Sequence, residues 1–540
     1  MRAKIGSNRF SAWWVGLPII YALQVTVIAA AGNADLADAV KGQDKARVQA
    51  LIKQATNVNA AQLDGSTALH WAVYWDDLET VERLISAGAN VNASNDLGVT
   101  PLFLASTQED SRLLTGLLKA GANPNAAVMS GESPLMAAAR TGRIASVKAL
   151  LAHGASVNAK EPSHDQTALM WAVVNCHPDV VQALLDAGAD IHARSRIRRR
   201  KALVLSERQA SYNPGAYEQH VKKGEIIEVE EGGFTPLLFA AQKGDIGSAR
   251  LLLAAGEDVN ETAPIGMSGL VIAAYSNNAD FGKFLLDKGA DPNSAAAGYT
   301  ALHAAILRGN LELVKALLAH KADPNSKITK ANGARRQSAD YSFGNTLVGA
   351  TPLYLAAKFG EVEIMRVLAA NGADLHFAMP DGSTPMMAAM NLPRTDSGAT
   401  EGLGRDRRDR YIFFRLIKTE SPDDFTPQTP EEEERDALAM VQMEVAAGVN
   451  VNAARRDGTT AMHLAAAEGL NHVIDILVSH GANLNPEDRR HHTPLDLAEA
   501  PRRNRGGDLL PPRLATAALL RSLGGKEGEV VPIEDARRRR

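Results

Sequence analysis

At 540 residues the chain could hold three or four compact domains, yet it is 45% hydrophobic, rich in alanine and leucine and only 5% aromatic, which suits a repetitive core better than several globular ones. A net charge of −4 gives no general case for nucleic acid or an anionic membrane as partner. The single cysteine, Cys176, excludes an intrachain disulfide framework, a cysteine-rich zinc site and a c-type haem motif.

The amino terminus reads first. Arg2, Lys4 and Arg9 precede an apolar stretch from Ala12 to Ala31 that ends in Ala29-Ala30-Ala31. A positive flank, an apolar centre and a small-residue end describe a secretory signal over residues 1–31, cut after Ala31 or Ala34. About 20 apolar residues also suffice to span a bilayer, so an inner-membrane anchor over 12–31 is the alternative; Pro18, Gln24 and Thr26 weaken that helix. Both readings place the rest of the chain outside the cytoplasm, in a periplasm or secreted, with membrane contact only if the segment is retained.

Beyond it the chain repeats. A Thr-Pro-Leu-like phrase begins at Thr67, Thr100, Ser133, Thr167, Thr235, Ser268, Thr300, Thr351, Thr384, Thr460 and Thr493. Most steps are 32 to 34 residues, a period that marks a solenoid. Within each unit Thr or Ser suits a helix N-cap. Proline follows at the first helical position in Pro101, Pro134, Pro236, Pro352, Pro385 and Pro494. A second helix, such as the one carrying Val81, Leu84 and Ile85, stops at a glycine suited to the left-handed C′ position: Gly88, Gly121, Gly154, Gly188, Gly256, Gly289, Gly372, Gly448 and Gly481.

Residues 32–62 form a degenerate amino-terminal capping repeat with a second helix over 46–52. Repeat blocks follow at 63–196, 232–328, 350–392 and 435–525, and the charged tail, 526–540, is expected to be disordered after Gly524. Insertions at 197–231 and 329–349 fall in turns between repeats. Those at 393–434 and 502–513 fall between the two helices of one repeat. The first opens on Arg194, Arg196, Arg198, Arg199, Arg200 and Lys201, answered by Glu225, Glu228, Glu230 and Glu231. The third holds Arg405, Arg407, Arg408 and Arg410 interleaved with Asp406 and Asp409. Balanced in this way, the runs read as solvated charge rather than a nucleic-acid footprint.

Thr300-Ala301-Leu302-His303-Ala304-Ala305 with Gly309-Asn310-Leu311-Glu312-Leu313-Val314, and Thr460-Ala461-Met462-His463-Leu464-Ala465-Ala466 with Gly481-Ala482-Asn483, resemble the ankyrin repeat. The resemblance covers residues 34 to 525 and recurs about eleven times. Lys321 in place of the turn glycine, Gly269 in place of the helix-start proline, and Asp76-Asp77 depart from it and are expected to make irregular turns. The resemblance implies an all-α ankyrin repeat solenoid of stacked helix-turn-helix units joined by projecting hairpin loops. It implies a protein partner, and it assigns the partner-binding face to the inner-helix ends and the turn tips. On this chain those helix positions are Tyr74, Trp75, Val174, Tyr275, Leu307, Arg308, Lys358 and Phe359. The tips include Leu97, Val99, Met129, Phe234, Ile265, Met267 and Tyr299. Trp71 faces the second helix and is expected in the core.

No catalytic constellation stands out. Gly-x-x-x-x-Gly-Lys-Ser/Thr, His-Glu-x-x-His and Gly-x-Ser-x-Gly are absent from the sequence. His70, His303 and His463 share one repeat position and are expected to hydrogen-bond within or between turns. His491-His492, Asp76-Asp77 and Asp423-Asp424 have no convergent partners in sequence. Cys176 beside His177 could form a thiolate only if the imidazole were charged and close; an inert thiol is the plainer reading. The sequence therefore predicts a non-catalytic, exported protein-protein interaction scaffold without cofactor or metal. The alternatives are a secreted effector acting on host proteins, and an enzyme or cofactor module built on the insertions. Oligomeric state is left open.

Overall fold

A computed structural model describes residues 34–54, 56–204, 225–331, 347–390, 430–503 and 509–528. The segment 1–33, and with it the expected signal, lies outside the described residues, as do Arg405–Arg410, Asp423-Asp424 and most of the third insertion.

The described residues form 24 helices in pairs, a short inner one and a longer outer one. In chain order they are α1 (Asp35–Lys41) and α2 (Lys45–Lys53), α3 (Ala68–Tyr74) and α4 (Leu78–Ser86), α5 (Pro101–Ala105) and α6 (Ser111–Lys119), α7 (Pro134–Arg140) and α8 (Ile144–Ala152), and α9 (Ala168–Val174) and α10 (Pro178–Asp186). After the first insertion come α11 (Pro236–Lys243) and α12 (Ile246–Ala254), α13 (Gly269–Tyr275) and α14 (Ala279–Asp287), and α15 (Ala301–Leu307) and α16 (Leu311–Ala319). The last pairs are α17 (Pro352–Phe359) and α18 (Val362–Ala370), α19 (Pro385–Met390) and α20 (Pro430–Ala446), α21 (Ala461–Glu468) and α22 (Asn471–Ser479), and α23 (Pro494–Glu499) and α24 (Leu514–Leu523).

Local chemistry sets both ends of each helix. Thr100 is extended, with φ −106° and ψ 160°, and its hydroxyl accepts from the Phe103 N–H at 3.2 Å; Ser133 and Thr167 do the same for Met136 and Met170. At the far end Gly88 takes φ 88°, its N–H donates to the Ile85 carbonyl at 3.0 Å, and the Ala89 N–H donates to the Leu84 carbonyl at 2.9 Å. This paired closure needs a left-handed residue. The expected irregularity at Lys321 does not occur. Lys321 takes φ 66° and repeats both bonds, to Leu318 and Leu317. Asp76 likewise takes φ 54°, and Asp77 caps α4 through the Thr80 N–H at 3.1 Å.

From α4 onward, four residues before the turn at the end of the outer helix stands a fully buried leucine: Leu84, Leu117, Leu150, Leu184, Leu252, Leu285, Leu317, Leu368, Leu477 and Leu520. This column runs through the stack and forms the axis of the core. In α20 the place is taken by Glu444, also fully buried.

Two polar devices join neighbouring repeats. Turn tips bond edge to edge, as where the Asp96 N–H donates to the Asp64 carbonyl and the Met129 N–H to the Leu97 carbonyl, both at 2.9 Å. Four residues after each turn an asparagine reaches across the next interface. Asn125 Nδ2 donates to the Gly154 carbonyl at 3.0 Å and its Oδ1 accepts the Ser156 N–H at 2.7 Å. Asn92, Asn158, Asn293, Asn325 and Asn452 form the same rung. At His192 and His376 the asparagine is missing.

The first insertion is not a plain loop. Strand β1 (Arg198–Val204) pairs antiparallel with β2 (Glu225–Glu231), in a register that sets Arg199 opposite Glu230 and Lys201 opposite Glu228. Arg199 thus meets an acidic residue of its own ribbon, its Nε 2.9 Å from Glu230. A two-residue ribbon, β3 (Arg502–Arg503) and β4 (Leu509–Leu510), spans the last insertion. The outer helix α20 begins at Pro430, inside the stretch assigned to the third insertion. The tail is also ordered further than expected: the Thr493 hydroxyl donates to the Lys526 carbonyl at 2.8 Å and the Gly528 N–H donates to Asp496 at 2.9 Å. No helix among the described residues is long and apolar enough to cross a membrane.

Candidate partner-binding surface

Three aromatic residues form the most exposed patch of the inner-helix face. Tyr74 and Trp75, at the end of α3, are 54% and 43% exposed. Their rings meet edge to face at 5.0 Å, and Tyr74 meets Trp71 in the same way at 5.8 Å. Trp71 is not the core residue expected from its repeat position. It is half-buried, and the preceding repeat holds it: its Nε1 donates to Gln62 at 2.7 Å, Gln62 Nε2 donates to Asp38 at 2.5 Å, and Lys41 Nζ lies 4.6 Å from the ring centre. Trp71 thus fixes the platform on which Tyr74 and Trp75 stand in water.

The other inner-helix positions divide. Val174, Tyr275, Arg308 and Lys358 are half-buried. Arg308 stacks on Tyr275 at 5.3 Å, and Arg140 on Trp171 at 5.7 Å while bound to Glu132 at 3.1 Å. Leu307 and Phe359 were expected at the surface and are buried, each 8% exposed. The physical reason is the stack. The repeats flanking Leu307 carry Tyr275 and Lys358 at its position, whereas those flanking Tyr74 carry Lys41 and Thr107.

Among the tips, Leu97 and Met129 are exposed, whereas Val99, Phe234, Ile265 and Met267 are half-buried. Tyr299 is buried, 6.4 Å from the Tyr275 ring, which corrects its assignment as an exposed tip. Leu63 was missed. It stands 93% exposed, two residues before Gly65, as Met129 stands two before Gly131. Counting back from the turn glycines would have found it.

The remaining residues singled out from sequence serve the framework. His70 Nδ1 accepts the Thr67 N–H at 3.1 Å, and its other nitrogen meets the Val99 carbonyl of the next repeat at 2.9 Å. His463 repeats this with Thr460 and the His492 carbonyl, and His303 with Thr300. An Nδ1 that accepts must be unprotonated, so Nε2 carries the hydrogen. Burial lowers all three pKa values, that of His303 to about 4. Cys176 lies in a left-handed turn with φ 58°, and burial pushes its thiol up rather than down. His177 turns its Nε2 to the Arg140 carbonyl at 3.2 Å. No activated thiolate results. His491 and His492 pair with Glu487 and Asp488, and no group of three potential ligands converges among the described residues.

Comparison with known proteins agrees with this geometry. The family model described as ankyrin repeats in three copies matches residues 36–128, 109–195 and 237–328, and the single ankyrin repeat model matches 348–378 and 457–489. The chain is 30% identical over 252 residues to the ankyrin repeat and KH domain-containing protein mask-1 of Caenorhabditis elegans, covering 41% of this chain and 9% of that protein. It is 32% identical over 158 residues to the B-cell lymphoma 3 protein homolog of Mus musculus, covering 28% and 34%. It is 28% identical over 148 residues to a probable E3 ubiquitin-protein ligase, XBOS34, of Oryza sativa subsp. japonica, covering 27% and 21%. These matches span about a third or less of each relative. Helix pairs, capped starts, glycine turns and matched models agree: the chain belongs to the ankyrin repeat family.

Proposed function

We propose that this protein is a non-catalytic scaffold that holds a protein partner on its amino-terminal repeats and works outside the cytoplasm. Ankyrin repeat proteins generally mediate protein–protein interaction. One observation supports the location of the site. Of the large apolar side chains exposed among the described residues, Leu63, Tyr74, Trp75, Leu97 and Met129 lie between residues 63 and 129, and only Ile197, Val348 and Leu514 lie elsewhere. Such a concentration of exposed apolar groups in one stretch of repeats supports an interaction surface there, and aromatic residues dominate interface hot spots.

The test is affinity capture with the full chain as bait, from envelope and medium fractions, beside a Tyr74→Ala/Trp75→Ala bait. Proteins held by the first and lost from the second are partners. Equal capture by both baits would remove the amino-terminal surface from the reading. Export rests on the charged and apolar residues 2–34. An intact mass starting near Gly32 or Asp35 supports it, and a cytosolic species retaining Met1 overturns it.

A further inference from the structure

Charge is distributed unevenly around this surface. Residues 34–132 carry twelve acidic and seven basic side chains, a net −5 against −4 for the whole chain. Six of the seven cations, Lys45, Arg47, Lys53, Arg83, Arg112 and Lys119, lie on the outer helices α2, α4 and α6. The seventh, Lys41, sits over the Trp71 ring. The exposed carboxylates of Asp38, Asp64, Asp76 and Asp96 stand on the inner helix, the tips and the helix-end turn, beside Leu63, Tyr74, Trp75 and Leu97. The face that exposes apolar and aromatic groups therefore carries one cation of this stretch, Lys41, against four exposed carboxylates, and Arg143 of the next unit, which reaches its edge at Thr107, is paired with Glu109.

We infer that the amino-terminal surface takes a cationic amphipathic polypeptide segment. Its apolar side chains would pack on Tyr74, Trp75 and Leu97, and its Lys or Arg side chains would lie against Asp38, Asp64, Asp76 and Asp96. The argument is complementarity. An acidic segment meets four exposed carboxylates here against the single cation Lys41, which is already engaged over the Trp71 ring. A neutral one leaves the carboxylates to be desolvated without partners. An arginine also gains from the exposed aromatic rings of Tyr74 and Trp75. The inference deepens the proposed protein-binding function and rests on it.

A random peptide library displayed on phage, selected on the full chain, tests it. Recovered peptides are expected to be net positive with at least one aromatic or long aliphatic residue. As synthetic peptides they should bind the Tyr74→Ser/Trp75→Ser variant at least about tenfold more weakly. Their affinity should also fall about tenfold between roughly 50 mM and 300 mM salt, as the Debye length shortens. Melting of the variant is recorded alongside, to show that it is folded. Neutral or acidic peptides that still depend on Tyr74 and Trp75 would overturn the charge inference and leave the binding surface standing. Peptides indifferent to the two aromatics would overturn both. Self-association of the wild-type chain that the variant abolishes would give the surface to a second copy and overturn the peptide reading.

Discussion

The carboxylate of Glu444 accepts the backbone N–H of Met386 at 3.0 Å, from the place where ten other repeats put a buried leucine. Its second oxygen meets no hydrogen-bond partner among the described residues. Burial raises this carboxyl well above the ordinary range, so the fold favours its protonated form. A raised folded-state pKa contributes stability that is present below the unfolded value and is lost as pH rises through the folded one.

Glu444→Leu is therefore expected to stabilise the α19–α20 pair at pH 8 by roughly 2 kcal/mol and to have much less effect at pH 5. Amide exchange over residues 385–390 and 430–446 at the two pH values measures this. Equal gains at both would mean the carboxyl titrates normally in the fold.

The capping histidines carry the opposite sign. His303 is lowered to about 4 by burial, so its stabilisation is complete above pH 6.5 and is lost as pH falls from 6.5 towards 4. The full loss is on the order of 3 kcal/mol for one fully buried site. Ring proton shifts of His303 should stay those of a neutral imidazole at pH 5.5, and His303→Met should flatten the acid limb of the stability curve. A native-state titration near 6.5 would show that the ring does not act as the acceptor for Thr300.

The asparagine rungs make a third prediction. Asn125→Ala removes two bonds across one interface and should cost about 1–2 kcal/mol, read as faster exchange of the Ser156 amide. At His192 the rung is replaced by a contact of 3.4 Å to Glu257, which stands where the other repeats have a small apolar residue and whose carboxyl is pushed up mainly by burial. His192→Asn with Glu257→Ala should install the missing rung and slow exchange at Asp258. No change would mean that the interface geometry there differs from that of its neighbours.

Tyr74→Ala/Trp75→Ala should leave the circular dichroism spectrum and melting nearly unchanged and weaken partner binding at least about tenfold. Trp71→Ala should do something else. It breaks the bond to Gln62 and the Lys41 stack, and should loosen α1 and α3 by roughly 2–3 kcal/mol, less than truncation of a fully buried tryptophan. Limited proteolysis near residues 42–66 reports it.

How much was legible follows from which forces are local. Thr100, Pro101 and Gly88 announce backbone states set by the sterics of one or two residues, so the period and helix ends could be read directly. The capping role of His303 was legible for the same reason. Exposure was not. Leu307 and Tyr74 share a repeat position, yet one is buried and the other stands in water, because the flanking repeats supply different side chains. The pairing of Arg199 with Glu230 lies across 31 residues, beyond the reach of any local signal. Glu444 and the asparagine rungs did leave a signal: both keep a constant offset from the turn glycines, visible once the units are aligned on those residues rather than on the leading threonine.

The rungs also have a mechanical meaning. Each interface carries the same tension when the array is pulled from its ends, so extension concentrates where the fewest transverse bonds hold. The joints at His192 and His376 lack the asparagine clamp that Asn92, Asn125 and Asn293 supply elsewhere. At His192 the loss is offset by Arg194, which bonds the Thr262 carbonyl and Glu261 of the next repeat, so a stretching force would open the His376 seam before it peeled the amino-terminal units apart, and the surface around Tyr74 would keep its shape under that load.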